Sequence, residues 1–163
     1  MNRFEDIAKL HAPLIRRIAR SYESNTARAD ELVQDIHLAL WQALPRFRGE
    51  ASLRTFVARI AHNRAISHVA REAREPRAVE LDERLHATDA TPEERIAQSD
   101  LRAKLEAAVQ RLPVSLKVAA TLALEGFAPE EVADVLGIGV SAASVRLHRA
   151  KEQLREMLKG SVT

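Results

Sequence analysis

Apolar positions recur along this chain in blocks of helical period separated by polar breaks. Phe4, Ile7 and Ala8 keep that period up to Leu10, and Pro13 predicts the start of a second helix through Leu14, Ile15, Ile18 and Ala19. Glu23-Ser24-Asn25-Thr26 breaks the run. From Ala29 to Leu44, the residues Leu32, Val33, Ile36, Ala39, Leu40 and Ala43 wind onto one broad stripe, which leaves Gln34, Asp35, Leu38, Trp41 and Gln42 on other faces. A small bundle that buries this helix all round accounts for Trp41 as well as a binding partner does. Pro45 to Glu50 reads as a loop with Phe47 between Arg46 and Arg48, and Ser52 is the expected cap of the next helix. In that helix Leu53, Phe56, Val57 and Ile60 form the expected core stripe. Arg59, His62, Asn63 and Ile66 share a second face, which suits either a nucleic-acid strand or plain solvent.

Residues 72–91 lose the period and gain charge, as a tether does, before Thr91-Pro92-Glu93-Glu94 predicts a helix start. Ile96, Leu101, Leu105, Ala108 and Leu112 continue that helical unit to Pro113, and a further helix is expected from Val114 to Glu125, ending near Gly126. Pro129 then opens a short helix with Glu130 and Glu131 in its first turn, and Gly137 follows Leu136 where a left-handed residue is needed. Ala133, four positions before Gly137, is small enough to let a second helix approach closely. That second helix places Ala143, Leu147, Ala150, Leu154 and Leu158 on one stripe, with Met157 beside it. Ser141, Ser144, Val145, His148 and Glu152 face away, flanked by Arg146, Arg149 and Arg155. Short helix, glycine turn and polar outward face together predict a helix-turn-helix whose second helix enters a major groove.

Composition narrows the class. Aromatic residues are 4% of the 163, and Ala, Leu, Arg and Glu dominate, so an all-α fold is expected: two small helical domains joined by a linker, with boundaries at 1–74, 75–91 and 92–163. The net charge of +2 is unevenly spread: 12 basic and 7 acidic side chains to residue 71, 4 and 9 from 72 to 100, and 9 and 7 thereafter. Two basic blocks flanking an acidic connector suit two nucleic-acid-facing modules. The absence of cysteine and of any apolar run long enough for a membrane span or signal peptide predicts a cytoplasmic protein without disulfides, thiolate ligands or membrane insertion. The six histidines form no HExxH or paired-ligand spacing, and five glycines build no phosphate loop, so neither an enzyme, a cofactor, a metal site nor a small-molecule substrate is expected.

Three stretches of the first block, Ala29-Asp30-Glu31-Leu32-Val33-Gln34-Asp35 with Leu40-Trp41, Phe47 to Phe56, and Arg59 to Ile66, resemble the first domain of bacterial extracytoplasmic-function (group four) RNA polymerase sigma factors. Arg111-Leu112-Pro113, Glu125-Gly126-Phe127 and Arg146 to Ala150 resemble their second domain. The resemblance implies that Gln34, Asp35, Leu38 and Trp41 dock on core RNA polymerase. It implies that Phe47, Arg48, Arg54, Arg59, Asn63 and Arg64 melt and hold the minus-ten element of promoter DNA, with bases unstacked onto the protein. Ser144, Val145, Arg146, His148 and Arg149 would read the minus-thirty-five element, and an anti-sigma factor is a further partner that such a family admits. Ala128 stands where the family customarily has a Ser cap, and Val145 where it usually has Ser. The rival class is a stand-alone helix-turn-helix regulator whose first 90 residues form a sensor or dimerisation bundle.

Overall fold

Local sequence signals set where each helix begins. In the computed structural model, which describes residues 3–74 and 100–160, helix α1 runs Arg3–Leu10 and α2 runs Ala12–Tyr22 with Pro13 in its first turn. Helix α3, Thr26–Ala43, starts where the Asn25 side chain accepts from the backbone N–H of Arg28 at 3.0 Å. A 3₁₀ turn at Leu44–Arg46 leads out of it, and α4, Leu53–Arg74, starts where Ser52 Oγ accepts from the Thr55 N–H at 3.1 Å. Beyond it come α5 (Asp100–Gln110), α6 (Val114–Leu124) opened by Pro113, α7 (Pro129–Leu136) and α8 (Val140–Lys159). The all-α expectation holds: the described residues contain no strand. The loss of helical period expected from Glu72 is not seen at Glu72, Ala73 and Arg74, which continue α4; the expected tether over 75–91, the start at Thr91 and Pro92, and Ile96 lie outside the described residues.

Helices α2, α3 and α4 pack pairwise into a three-helix bundle with α1 against α2 and α3. In the C-terminal half α8 lies across α5, α6 and α7. The two halves also pack on each other, α2 against α6 and α4 against α7. One continuous core results, running from Ile15, Ile18, Leu32, Ile36 and Val57 through Ala58 and Ala61 into Val118, Leu122, Phe127, Val132 and Val135. A smaller cluster of Leu112, Leu116, Ala120 and Ala150, with Leu154 and Met157 packed on it, belongs to the C-terminal half alone.

Several expectations about faces change. In α4 only Val57 of the expected stripe is fully buried. Leu53, Phe56 and Ile60 are half-buried, while Thr55, Ala58, Ala61, His62, Ala65 and His68 are buried. The reason is the second neighbour: the alanines allow close approach on one side, and α7 covers another side of the same helix. His62, expected on an open face with Asn63, is therefore interior, where its Nδ1 shares a hydrogen bond with the Tyr22 hydroxyl. Leu101, expected in the core, is 60% exposed at the start of α5. The stripe of α8 is confirmed at Ala143 and Ala150, which are buried, with Leu147, Leu154, Met157 and Leu158 partly so.

Candidate nucleic-acid interface

The helix-turn-helix forms as its residues dictate. Gly137 adopts φ 67°, the left-handed conformation that ends α7, and Ile138 N–H bonds back to the Ala133 carbonyl at 3.1 Å. Ala133 is 4% exposed beneath α8. Along α8, Ser144, Val145, His148 and Arg149 are all exposed, together with Ser141 and Glu152, so the outward face expected from the sequence is bare. His148 Nε2 lies 3.2 Å from Glu152 one turn on, which leans the ring along the helix. Arg146 departs from that group. It is half-buried and turned toward the N-terminal half, near enough to Tyr22 and His62 for its charge to act on both. Burial, seconded by Arg146, holds the His62 imidazole below the ordinary histidine value, and burial raises the Tyr22 phenol well above its own.

On α3, Leu38 is 49% and Trp41 57% exposed, while Leu32, Ile36 and Leu40 beside them are fully buried. The bundle does not bury this helix all round, so Trp41 belongs to a free surface. Gln34 shares that exposure, and Asp35 receives a hydrogen bond from Arg71 of α4 at 3.3 Å.

The six residues expected at the minus-ten element divide into two places. Asn63 and Arg64 line an open groove of about 300 Å³ between α3, the 3₁₀ turn and α4, together with Gln42, Arg46, Ile60 and Ser67. The Nε of Arg64 is buried there without a hydrogen-bond partner. Arg48 is exposed in the loop, and Phe47 is half-buried, its ring tilted on Phe56 with centroids 4.8 Å apart, so it anchors the loop. Arg54 and Arg59 instead face the C-terminal half. Arg54 donates to the backbone carbonyl of Glu125 and lies over the Phe127 ring, and Arg59 pairs with Asp134. Sequence reasoning missed Arg46, Gln42 and Ser67 as groove residues. The i, i+3, i+4 and i+7 spacing of Arg59, His62, Asn63 and Ile66 pointed to the α4 side, but nothing local showed that α3 supplies the other wall.

Among the described residues Glu23, His68 and Glu72 bring three ligand-type atoms within 4.8 Å of one another, a juxtaposition the histidine spacing did not reveal. His68 Nε2 bridges the two carboxylates at 3.2 and 3.3 Å, and Arg28 lies 3.6 Å from Glu72. These contacts make a buried strut that ties the end of α2 to α4.

The fold and site thus define an α-helical protein with a helix-turn-helix, a bare tryptophan-bearing helix face and an arginine-lined groove. Sigma-70 region 2 matches residues 7–75 and Sigma-70 region 4 matches residues 102–154, and the chain belongs to the extracytoplasmic-function sigma factors of the sigma-70 family. It is 28% identical over 161 residues to the ECF RNA polymerase sigma factor SigE of Mycolicibacterium smegmatis, covering 97% of this chain and 62% of that protein. It is 29% identical over 145 residues to the RNA polymerase sigma-H factor of Pseudomonas aeruginosa, covering 80% of this chain and 73% of that one. The chain therefore spans less than two thirds of the Mycolicibacterium relative's length. Its fold superposes on the sigma factor RpoE of Bartonella quintana, solved in complex with the anti-sigma factor NepR, with TM-score 0.72, 23% identity and 96% coverage of both chains.

Proposed function

We propose that this protein is a sigma factor that binds core RNA polymerase and directs promoter-specific initiation, with residues 1–74 recognising and melting the minus-ten element and the C-terminal helix-turn-helix reading the minus-thirty-five element. The observation that carries this reading is the order of the two sigma-region matches on a fold that leaves both expected contact faces bare: Leu38 and Trp41 on α3, and Ser144, Val145, His148 and Arg149 on α8. An exposed Trp flanked by Leu is the kind of anchor that carries a protein interface. The α3–α4 groove offers an amide at Asn63, a guanidinium at Arg64 and an apolar wall at Ile60, the mixture an unstacked base requires. On α8 the short polar groups suit base edges, and Arg149 reaches either a guanine or a phosphate. The partners on this reading are core RNA polymerase, promoter DNA and, by the likeness to chains solved with NepR and CnrY, an anti-sigma factor. The site of action is the cytoplasm. Among the described residues no helix is long and apolar enough to cross a membrane.

Transcription in vitro with purified core enzyme on genomic fragments tests the reading. The protein should bind core polymerase as a monomer and start transcripts at bipartite promoters. Trp41→Ala should weaken core binding at least about tenfold, the order of an interface hot spot, while leaving the melting temperature unchanged. Dimeric binding to a palindrome without polymerase would instead establish the stand-alone regulator.

A further inference from the structure

The three side chains that meet at the end of α2 are a mixed nitrogen and oxygen set drawn from separate elements. Glu23 caps α2, and His68 and Glu72 stand four positions apart on α4, which puts both on one face of that helix. Glu23 and His68 are 8% and 5% exposed, so a carboxylate and an imidazole are held away from water, where a charge needs a partner. His68 Nε2 lies 3.2 Å from Glu23 Oε2 and 3.3 Å from Glu72 Oε1, and all three ligand-type atoms fall within 4.8 Å of one another. A linear hydrogen bond from one ring N–H serves one oxygen only. Two carboxylates at matching distances from the same nitrogen instead have the arrangement of ligands around a shared centre. Donors at about 2.0–2.1 Å from a four-coordinate zinc ion stand about 3.3–3.4 Å apart, close to both separations here.

Both carboxylates are also held by outer partners. The Asn25 N–H donates to Glu23 Oε1 at 3.1 Å, which leaves Oε2 for the site, and Arg28 Nε lies 3.6 Å from the Glu72 carboxylate. Partners of this kind orient metal ligands. We propose that Glu23, His68 and Glu72 form a binding site for a divalent first-row transition cation, zinc being the best fit, with a fourth position left for water. One imidazole with two carboxylates is a borderline donor set, which suits zinc better than the all-oxygen shells that calcium and magnesium take. The ion supplies the positive charge that two converging carboxylates need, and it joins α2 to α4 by direct ligation. Asn63, Arg64 and Ser67 line the α3–α4 groove from the same helix, within five positions of His68, so occupancy steadies that wall of the groove. The expectation of no metal site rested on spacings between histidines, and this set holds only one.

Calorimetric titration of the EDTA-stripped full chain with zinc sulfate tests the site without polymerase or DNA, so its outcome is separate from that of the promoter reading. Binding should saturate at one equivalent and raise the thermal denaturation midpoint, and cobalt(II) in place of zinc should give the strong visible absorption of a four-coordinate ion. His68→Gln and Glu72→Gln should each weaken zinc affinity at least about tenfold while keeping the parent's circular dichroism in EDTA. His148→Gln removes the exposed histidine that pairs with Glu152 at the same spacing and should leave the affinity as it is. No saturable zinc binding, parental affinity in both His68→Gln and Glu72→Gln, or a loss confined to His148→Gln would each overturn the site. Should the variants fail to fold, anomalous scattering at the zinc edge from crystals of the parent decides. An ion between His68 and the two carboxylates is the expected result, and zinc found only elsewhere overturns the assignment.

Discussion

Ala128 is the residue where a local rule is half met. It opens α7 with φ −71° and ψ 158°, the extended geometry of a helix cap, and the Glu131 carboxylate accepts from its N–H at 2.9 Å. A methyl group returns nothing to the first free amides of the helix. Ala128→Ser supplies that acceptor on unchanged backbone and should stabilise the fold by about 1 kcal/mol, read as a rise in denaturation midpoint; an unchanged midpoint would mean that those amides are already satisfied. Lys117 presents the opposite case, a charge where the surroundings are apolar. It is 9% exposed on α6, and burial depresses its affinity for a proton below the usual lysine value of 10.5. A lysine with a lowered folded pKa costs stability at every pH below that value, and the cost fades as pH rises through the folded value toward 10.5. Lys117→Met should therefore be at least as stable as the parent at pH 7, with any advantage gone above pH 10.5. Urea titrations at the two pH values check this, and an advantage that grows with pH would contradict it. Residues with a backbone role, such as Gly137 and Pro129, are legible in the sequence because the demand they meet lies within four or five positions of them. Arg59 and Arg146 are legible as cations but not as to their partners, since Asp134 and the Tyr22–His62 pair lie far away along the chain.

At the scale of elements, most helix starts and stops were legible, because the cap at Ser52 and the breaks at Pro113 and Gly126 act locally, whereas the cap at Asn25, read only as part of a break, starts α3 three residues earlier than the Ala29 expected. Faces were legible where a helix has one neighbour set, as in α3. They were misread in α4, where alanines count as weakly apolar in a periodic pattern although Ala58, Ala61 and Ala65 are fully buried. The same helix hides its strut: His68 and Glu72 are one turn apart, but Glu23 reaches them only after α2 and α4 have docked. Burial raises the Glu72 carboxyl above the usual value of 4.5, reinforced by its hydrogen bond and charge interaction with Glu23 and opposed by His68 and Arg28. A carboxyl with a raised folded pKa loses stability as pH rises from 4.5 through its folded value. Glu72→Gln keeps an amide donor toward Glu23 and removes that titration. Its stability should match the parent near pH 4.5 and fall less steeply toward pH 7. Denaturation midpoints across that range decide, and a steeper fall than the parent's would show that the attraction of His68 and Arg28 outweighs burial and repulsion.

On the scale of the whole molecule, the sequence supports two helical units and a charged connector, and it does not disclose that the units share a core. Each half was read by its own periodicity, and the contacts of α2 with α6 and α4 with α7 join residues 100 and 76 positions apart, beyond any local pattern. Leu122 is the sharpest test of that shared core. It belongs to the C-terminal half, is 0% exposed, and sits in the same cluster as Ile15 and Val57 of the N-terminal half. Leu122→Ala should cost about 2–5 kcal/mol through lost burial and the cavity left behind. Because the shared core couples the halves, that loss should appear in both. The chain has one tryptophan, Trp41, and it stands on α3 of the N-terminal half, so its fluorescence follows that half while circular dichroism follows all the helices. With one cooperative unit the two signals give coincident midpoints in the parent, and Leu122→Ala lowers both together. If the Trp41 midpoint stays in place while the circular-dichroism curve broadens or splits, the halves unfold separately and the contact between them is too weak to act as one core.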